Sequence, residues 1–183
     1  MKYAAITAAA ALAASAWGQM ARPVATVPRP AATVLTVATP GVLRGFETGV
    51  DEQIAGVNRV KPIDVVGGTR CFYLHGIGAI LSTKVELMQT PTINPFRHEI
   101  TPQEAADVFR TKTANLVLLR QTMKSTMISA AKDMEFLPQT EQIVFAVSLI
   151  YQPWEDTKGL PTQIVMRADR RDALNGNITT EEQ

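Results

Sequence analysis

The side chains able to do acid–base, nucleophilic or metal chemistry are few in this sequence, and their spacing decides what they can do. The loop Gln152 to Pro161 (QPWEDTKGLP) sets Trp154 beside the neighbouring acids Glu155 and Asp156. Carboxylates serve general acid–base catalysis or bind calcium, and an indole offers a face to a ligand. An EF-hand loop is excluded, because Lys158 stands where that loop requires an oxygen ligand. The competing reading is a solvated turn anchored by Trp154. The two histidines, His75 and His98, fall on either side of a hairpin. Together with Glu86 or Glu99 they would make a metal site, but neither HxH nor HxxxH spacing occurs, so no metal is expected. Cys71 and His75 are a nucleophile and a base by type. Four residues apart on a strand they share a face but lie about 13 Å from one another, too far for a dyad. The weak catalytic candidates are therefore Glu155, Asp156, His75 and His98.

Other suggestive residues carry plainer readings. Gly67-Gly68 and Gly76-Ile77-Gly78 border strands, whereas a phosphate loop leads from a strand into a helix, and no GxxxxGK[ST], GxGxxG or GxSxG is present. They are expected to be turns, and no cofactor is expected. Arg167, Asp169, Arg170, Arg171 and Asp172 mix their signs, as a salt-bridged strand edge does. Asn177-Ile178-Thr179 matches a glycosylation acceptor and is taken as coincidence.

Composition narrows the classes further. The 183 residues are 46% hydrophobic and carry 18 Lys plus Arg against 17 Asp plus Glu, which suits one globular domain, or one domain with a tail. The near balance of charge argues against a nucleic-acid binder, which needs a basic face. Cys71 is the single cysteine, so neither an internal disulfide framework nor a multi-cysteine metal knuckle can form.

Residues 1–18 have the pattern of a secretory signal: Lys2 as the positive region, Ala4 to Ala14 as the apolar run, then small residues. Cleavage before Trp17 and cleavage before Gln19 both satisfy the small-x-small rule. The apolar run is too short for the roughly 20 residues of a membrane span. Loss of residues 1–16 removes Lys2 and no acid, leaving 17 basic against 17 acidic groups. The expected location is exported, periplasmic or extracellular, with no transmembrane helix in the mature chain. There Cys71 is either buried or paired with a second chain.

The elements that must position these residues follow from periodicity and punctuation. Residues 19–61 carry Pro23, Pro28, Pro30 and Pro40 and are expected to be a linker, with Thr33 to Ala38 able to add as an edge strand and Glu47 to Arg59 able to form a short helix. An α+β domain is expected over 62–174 and a frayed tail over 175–183. Arg70 to Met88 predicts a hairpin. A two-residue turn at Gly76-Ile77 opposes Phe72 with Leu81 and Leu74 with Ala79, and directs Phe72, Leu74, Leu81, Val85 and Leu87 to the core. Thr101-Pro102-Gln103-Glu104 is a capping box with Pro at the first helical position, and no further Pro or Gly occurs before Pro138. A helix to about Glu135 is about 50 Å long, with Ala105, Phe109, Leu116, Leu119, Met123, Met127, Ala130 and Met134 on its apolar stripe. Two more strands follow. One turns Ile143, Phe145, Val147, Leu149 and Tyr151 inward, and the other Ile164, Met166 and Ala168.

The expected fold is therefore α+β in two layers: a four-stranded, mainly antiparallel sheet in ββαββ order packed on one long helix. The helix is longer than the strands, and Val117, Leu118 and Ile128 fall off its stripe. Either another chain covers the excess or the helix is kinked. Without a catalytic constellation, the leading expectation is a non-enzymatic domain that binds or assembles with other protein chains, including copies of itself. The alternatives are a small periplasmic enzyme using Glu155, Asp156 and a histidine, or a small-ligand binder, with the Trp154 loop or the adaptable methionines Met123, Met127 and Met134 at its site.

Overall fold

A computed structural model describes residues 40–91 and 99–183. Residues 1–39, with the expected signal segment and the expected strand Thr33 to Ala38, lie outside them, as does His98.

The chain enters through α1 (Pro40–Ala55), then forms the hairpin β1 (Asp64–Leu74) and β2 (Gly78–Glu86). The long helix α2 (Pro102–Asp133) leads to β3 (Gln142–Leu149), β4 (Gln163–Asp169), the short α3 (Arg170–Leu174) and β5 (Thr179–Glu182). The fold is α+β, with one mixed sheet of five strands in the order β1-β2-β3-β4-β5. A four-stranded, mainly antiparallel sheet was expected; the observed sheet has a fifth strand and one parallel pair at its centre. A single helix between β2 and β3 carries the chain back to the end at which β2 begins, so these two neighbours run parallel, from Gly78↔Gln142 to Val85↔Leu149. The fifth strand comes from the tail expected to fray. Val165 pairs with Glu181 and Met166 with Thr180, and Arg120 of α2 grips the Glu182 carboxylate through two nitrogens at 2.7 Å. Those pairings give a polar segment the partners it could not supply locally.

The helix α2 begins as its sequence dictates. Thr101 Oγ1 accepts from the Glu104 amide, and the Glu104 carboxylate accepts from the Thr101 amide. It runs unbroken for 32 residues. Leu116, Leu119, Met123, Met127 and Ala130 are buried as the stripe requires. Before Leu116, however, the buried residues are Val108, Lys112 and Asn115, while Ala105 and Phe109 are only half-buried. Val117, off the stripe, is 48% exposed. Among the described residues no helix is long and apolar enough to cross a membrane.

The hairpin departs from expectation by one residue. Leu74 pairs with Gly78 and Cys71 with Leu81, so the turn has three residues, His75-Gly76-Ile77, closed by the Ile77 amide donating to Leu74 O at 3.0 Å. Side chains alternate along a strand, so this slip turns β1 over. Cys71 and Thr69 are buried, while Phe72 and Leu74 are 55% and 46% exposed. Two contacts set the register. Gly78 adopts φ +135, and a Cβ on it would stand 1.9 Å from Gln142 O, so it is needed as a strand residue against β3, not as the end of a turn. Small residues are also needed on the covered face of β1, because α1 drives Val50 and Ile54 into the core there. Between Val66 and Arg70, Gly67 and Gly68, both at positive φ, form a bulge that leaves the faces unchanged.

The core lies between one face of the sheet and the helices: Ala79, Leu81, Val85, Ile143, Phe145, Val147, Ile164 and Met166 meet Leu116, Leu119, Met123, Met127 and Ala130. The opposite face carries Phe72, Ile80, Val144, Ala146 and Val165 in adjoining register. Among the described residues no helix packs on that face.

Candidate functional site

The loop that attracted attention by sequence is held by a residue that did not. Lys112 stands on the apolar face of α2, four residues after Val108 and four before Leu116, and its side chain is wholly buried. Its ammonium lies 2.7 Å from Glu155 Oε2 and donates to Oε1 at 2.8 Å. The Glu155 side chain is itself only 2% exposed. A second carboxylate, Glu86 at the end of β2, lies 3.8 Å from the ammonium and accepts a hydrogen bond from Thr90 Oγ1 at 2.6 Å. Nζ also lies 5.3 Å from the centre of the Tyr151 ring, so the cation meets two carboxylates and a π face.

The loop closes around this charge. Glu155 Oε1 accepts from the Gln152 amide at 3.0 Å, and the Tyr151 hydroxyl donates to Pro161 O at 2.7 Å across the loop's base. The Tyr151 phenol is pushed up to about 12, by burial first and by the Glu155 charge second, with Arg120 acting against them. Trp154 is half-buried, with Nε1 enclosed and without a hydrogen-bond partner. Asp156, by contrast, is exposed and accepts from the Lys158 amide at 2.9 Å, an ordinary turn cap.

His75 lies far from all of this. It sits exposed in the β1–β2 turn, beside the start of β2, whereas Glu86 is the last residue of that strand. Eight residue steps put the two ends about 26 Å apart. At its own end His75 Nδ1 lies 3.5 Å from the Tyr73 hydroxyl, and the Gly76 amide donates to Glu141 Oε1 at 3.0 Å. Glu141 is 8% exposed, and its carboxylate fixes the turn to the start of β3. The Tyr73 phenol titrates above its ordinary value, through burial first and then Glu141. Cys71 faces the core under α1, away from the turn, and burial together with the Glu47 charge pushes its thiol up to about 11. Of the four sequence candidates, then, Glu155 joins the Lys112 cluster, Asp156 caps a turn, His75 stands at the opposite end of the sheet, and His98 lies outside the described residues.

Chemically, the cluster is a clamp. A lysine nucleophile must be a free amine, and a general acid must reach a substrate. Here each group is already committed to another, inside the protein. Among the described residues no group of three or more His, Cys, Asp and Glu side chains is placed to hold a metal ion. Met123 and Met127 are fully buried and packed into the core. Lys112 escaped notice because isolated lysines on a helix are ordinarily solvated. The signal available was its position, in register with Val108, Leu116 and Leu119 on an otherwise apolar stripe. Comparison with protein-family models, with curated proteins and with solved structures gives no match.

Proposed function

We propose that the chain is an exported, non-enzymatic assembly domain, and that the open face of its sheet is the surface through which it associates with a second copy of itself. The observation that carries this reading is the apolar track on that face, where Phe72, Ile80 and Val144 are neighbours in one row and Ala146 and Val165 are neighbours in the next. An antiparallel sheet with one wet face normally alternates apolar-in with polar-out. Here an apolar track of Phe72, Ile80, Val144, Ala146 and Val165 runs across the outward face between Arg70 and Ser82 on one side and Arg167 on the other. Charged side chains border the track, with Arg70 and Lys84 on β1 and β2 and Arg167 of β4 paired with Glu181 of β5. Two copies meeting face to face through this track bury the same residues from each side, an isologous arrangement. Export rests on the pattern of Lys2 and Ala4 to Ala14 in the leader. The loop acids lend no support to an enzyme, since Glu155 is neutralised by Lys112 and lies at the other end of the sheet from His75.

The test is light scattering on the mature protein across micromolar concentrations, with Phe72→Glu as the probe. Phe72 is 55% exposed, so the substitution leaves the folded protomer intact. Its apolar surface is worth on the order of 1.5–3 kcal/mol when buried, and a dimer whose Kd rises tenfold or more in the variant is the expected result. A wild-type protein that stays monomeric at 100 micromolar, or a dimer indifferent to Phe72→Glu, overturns the reading.

A further inference from the structure

The turn that closes the hairpin stands over a buried carboxylate. Glu141, at the entry to β3, is 8% exposed. Its Oε1 accepts from the Gly76 amide at 3.0 Å, while its Oε2 is enclosed and has no hydrogen-bond partner. Among the described residues no Lys, Arg or His side chain forms an ion pair with it. Elsewhere the chain meets a buried charge with an opposite one, as Lys112 and Glu155 do at 2.7 Å. A buried carboxylate with neither a counter-charge nor a second donor is costly. Oε2 therefore calls for a cation that the described residues do not supply.

Two further donor atoms stand beside it. Alternation along β1 puts Tyr73 on the covered side with Thr69 and Cys71, and its phenol is raised by burial first and then by Glu141. His75 follows in the turn, with Nδ1 3.5 Å from the Tyr73 hydroxyl. That separation is long for an O–H···N hydrogen bond. It is close to the roughly 3.4 Å between two atoms that each lie about 2.1 Å from one tetrahedrally coordinated ion. The groups are also held from outside the cluster. The Glu141 amide donates to Pro138 O at 3.1 Å, and the Glu141 carbonyl accepts from the Arg170 amide at 2.9 Å. The Phe136 ring meets the Tyr73 ring edge-on, with centroids 5.5 Å apart. The Gly76 amide on Oε1 is the kind of outer contact that orients a metal-binding carboxylate.

We propose that His75 Nδ1, the Tyr73 hydroxyl oxygen and Glu141 Oε2 form a site for one divalent transition-metal ion, of which Zn2+ and Cu2+ fit the donors. An imidazole nitrogen with two oxygens suits these ions, whereas Ca2+ and Mg2+ take oxygen ligands. Tyr73 supplies the third ligand, so the set is not one of His, Cys, Asp and Glu alone. Three protein ligands leave a fourth position open. The ion brings the positive charge that Glu141 lacks and ties the β1–β2 turn to the start of β3. The site lies at the turn, on the covered side of β1, and so stands independently of the open face.

The experiment is calorimetric titration of the metal-free mature protein with ZnCl2, and separately with CuCl2, in excess Mg2+ at neutral pH. One ion per chain is expected in the micromolar range, with Cu2+ the tighter. His75→Ala and Glu141→Gln should each weaken Zn2+ binding by about tenfold or more, and Tyr73→Phe should weaken it several-fold. Both of the first two variants are expected to fold, since His75 is exposed and a glutamine at 141 keeps an oxygen for the Gly76 amide. Saturating Zn2+ should raise the urea midpoint of the wild type and leave that of either variant unmoved. In spectra of the labelled protein, Zn2+ should shift the His75 ring and the Gly76 and Gln142 amides. Absence of binding at millimolar Zn2+, or binding that His98→Ala removes, overturns the proposal. An ion lost with His75→Ala but retained in full by Glu141→Gln belongs to a surface histidine alone and overturns it as well.

Discussion

Lys112 illustrates how one charge can organise a whole end of this molecule. A buried ammonium is tolerable only with partners in good geometry, and Glu155, Glu86 and the Tyr151 ring provide them. Lys112→Met removes the cation and leaves two carboxylates facing each other in the interior. It should destabilise the protein by about 3–5 kcal/mol in urea titrations, with much of the loss recovered when Glu155→Gln is added. The buried Cys71 and the half-buried Tyr151 bear on stability at alkaline pH. Cys71 and Tyr151 hold their protons more tightly in the folded chain, at about 11 against 9.0 and at about 12 against 10.0. A group raised on folding contributes fully below its unfolded value and loses that contribution as pH rises through the folded one. The melting temperature should therefore fall between about pH 9 and pH 12, and Cys71→Ala should delay the start of that fall. A protein whose melting temperature is unchanged up to pH 11.5 would contradict both assignments.

At the level of elements, the hairpin turns on a contact that lies outside it. Gly78 joins β2 to β3 so closely that any side chain would strike the Gln142 carbonyl, and its φ of +135 is one that other residues avoid. Gly78→Ala should cost about 3 kcal/mol or more, because the central parallel pair must part to admit the methyl group. Gly76→Ala is the control: its φ is +79 but nothing lies within 4 Å, so the expected cost is only the 1–2 kcal/mol or so of the left-handed backbone. Equal losses in the two variants would show that backbone strain alone, and not the approach of β3, defines the turn. The capping box at Thr101 is the opposite case. Its signal is local, and the structure contains the reciprocal hydrogen bonds that its sequence implies.

For the molecule as a whole, two surfaces of the sheet remain to be accounted for, and the fold treats them differently. The β5 edge is short and acidic, and it binds Arg167 through Glu181 and Arg120 through Glu182, which discourages strand addition there. The broad face bearing Phe72, Ile80, Val144 and Val165 is covered by no helix among the described residues, and its charges, Arg70, Lys84 and the Arg167–Glu181 pair, flank the apolar track. Cys71 opens onto the covered side, so an assembly through the open face should show the same mass with and without reductant. A dimer that dissociates on reduction would place Cys71 at the contact and require α1 to have moved.

What could be read from residues alone was whatever depends on near neighbours in the chain. The start of α2, its length, the inward sets of β3 and β4, and the absence of the common nucleotide and nucleophile motifs are of this kind, since capping, helical period and strand alternation act over one to four residues. The rest depended on partners remote in sequence. The register of β1 was decided by Gln142 and by the side chains of α1, the parallel central pair by the path of α2, and β5 by partners on β4 and α2. The loop at Trp154 was singled out by its composition, but its role was set by Lys112, forty-three residues away. Only packing brings a buried charge to the carboxylates that make its burial possible.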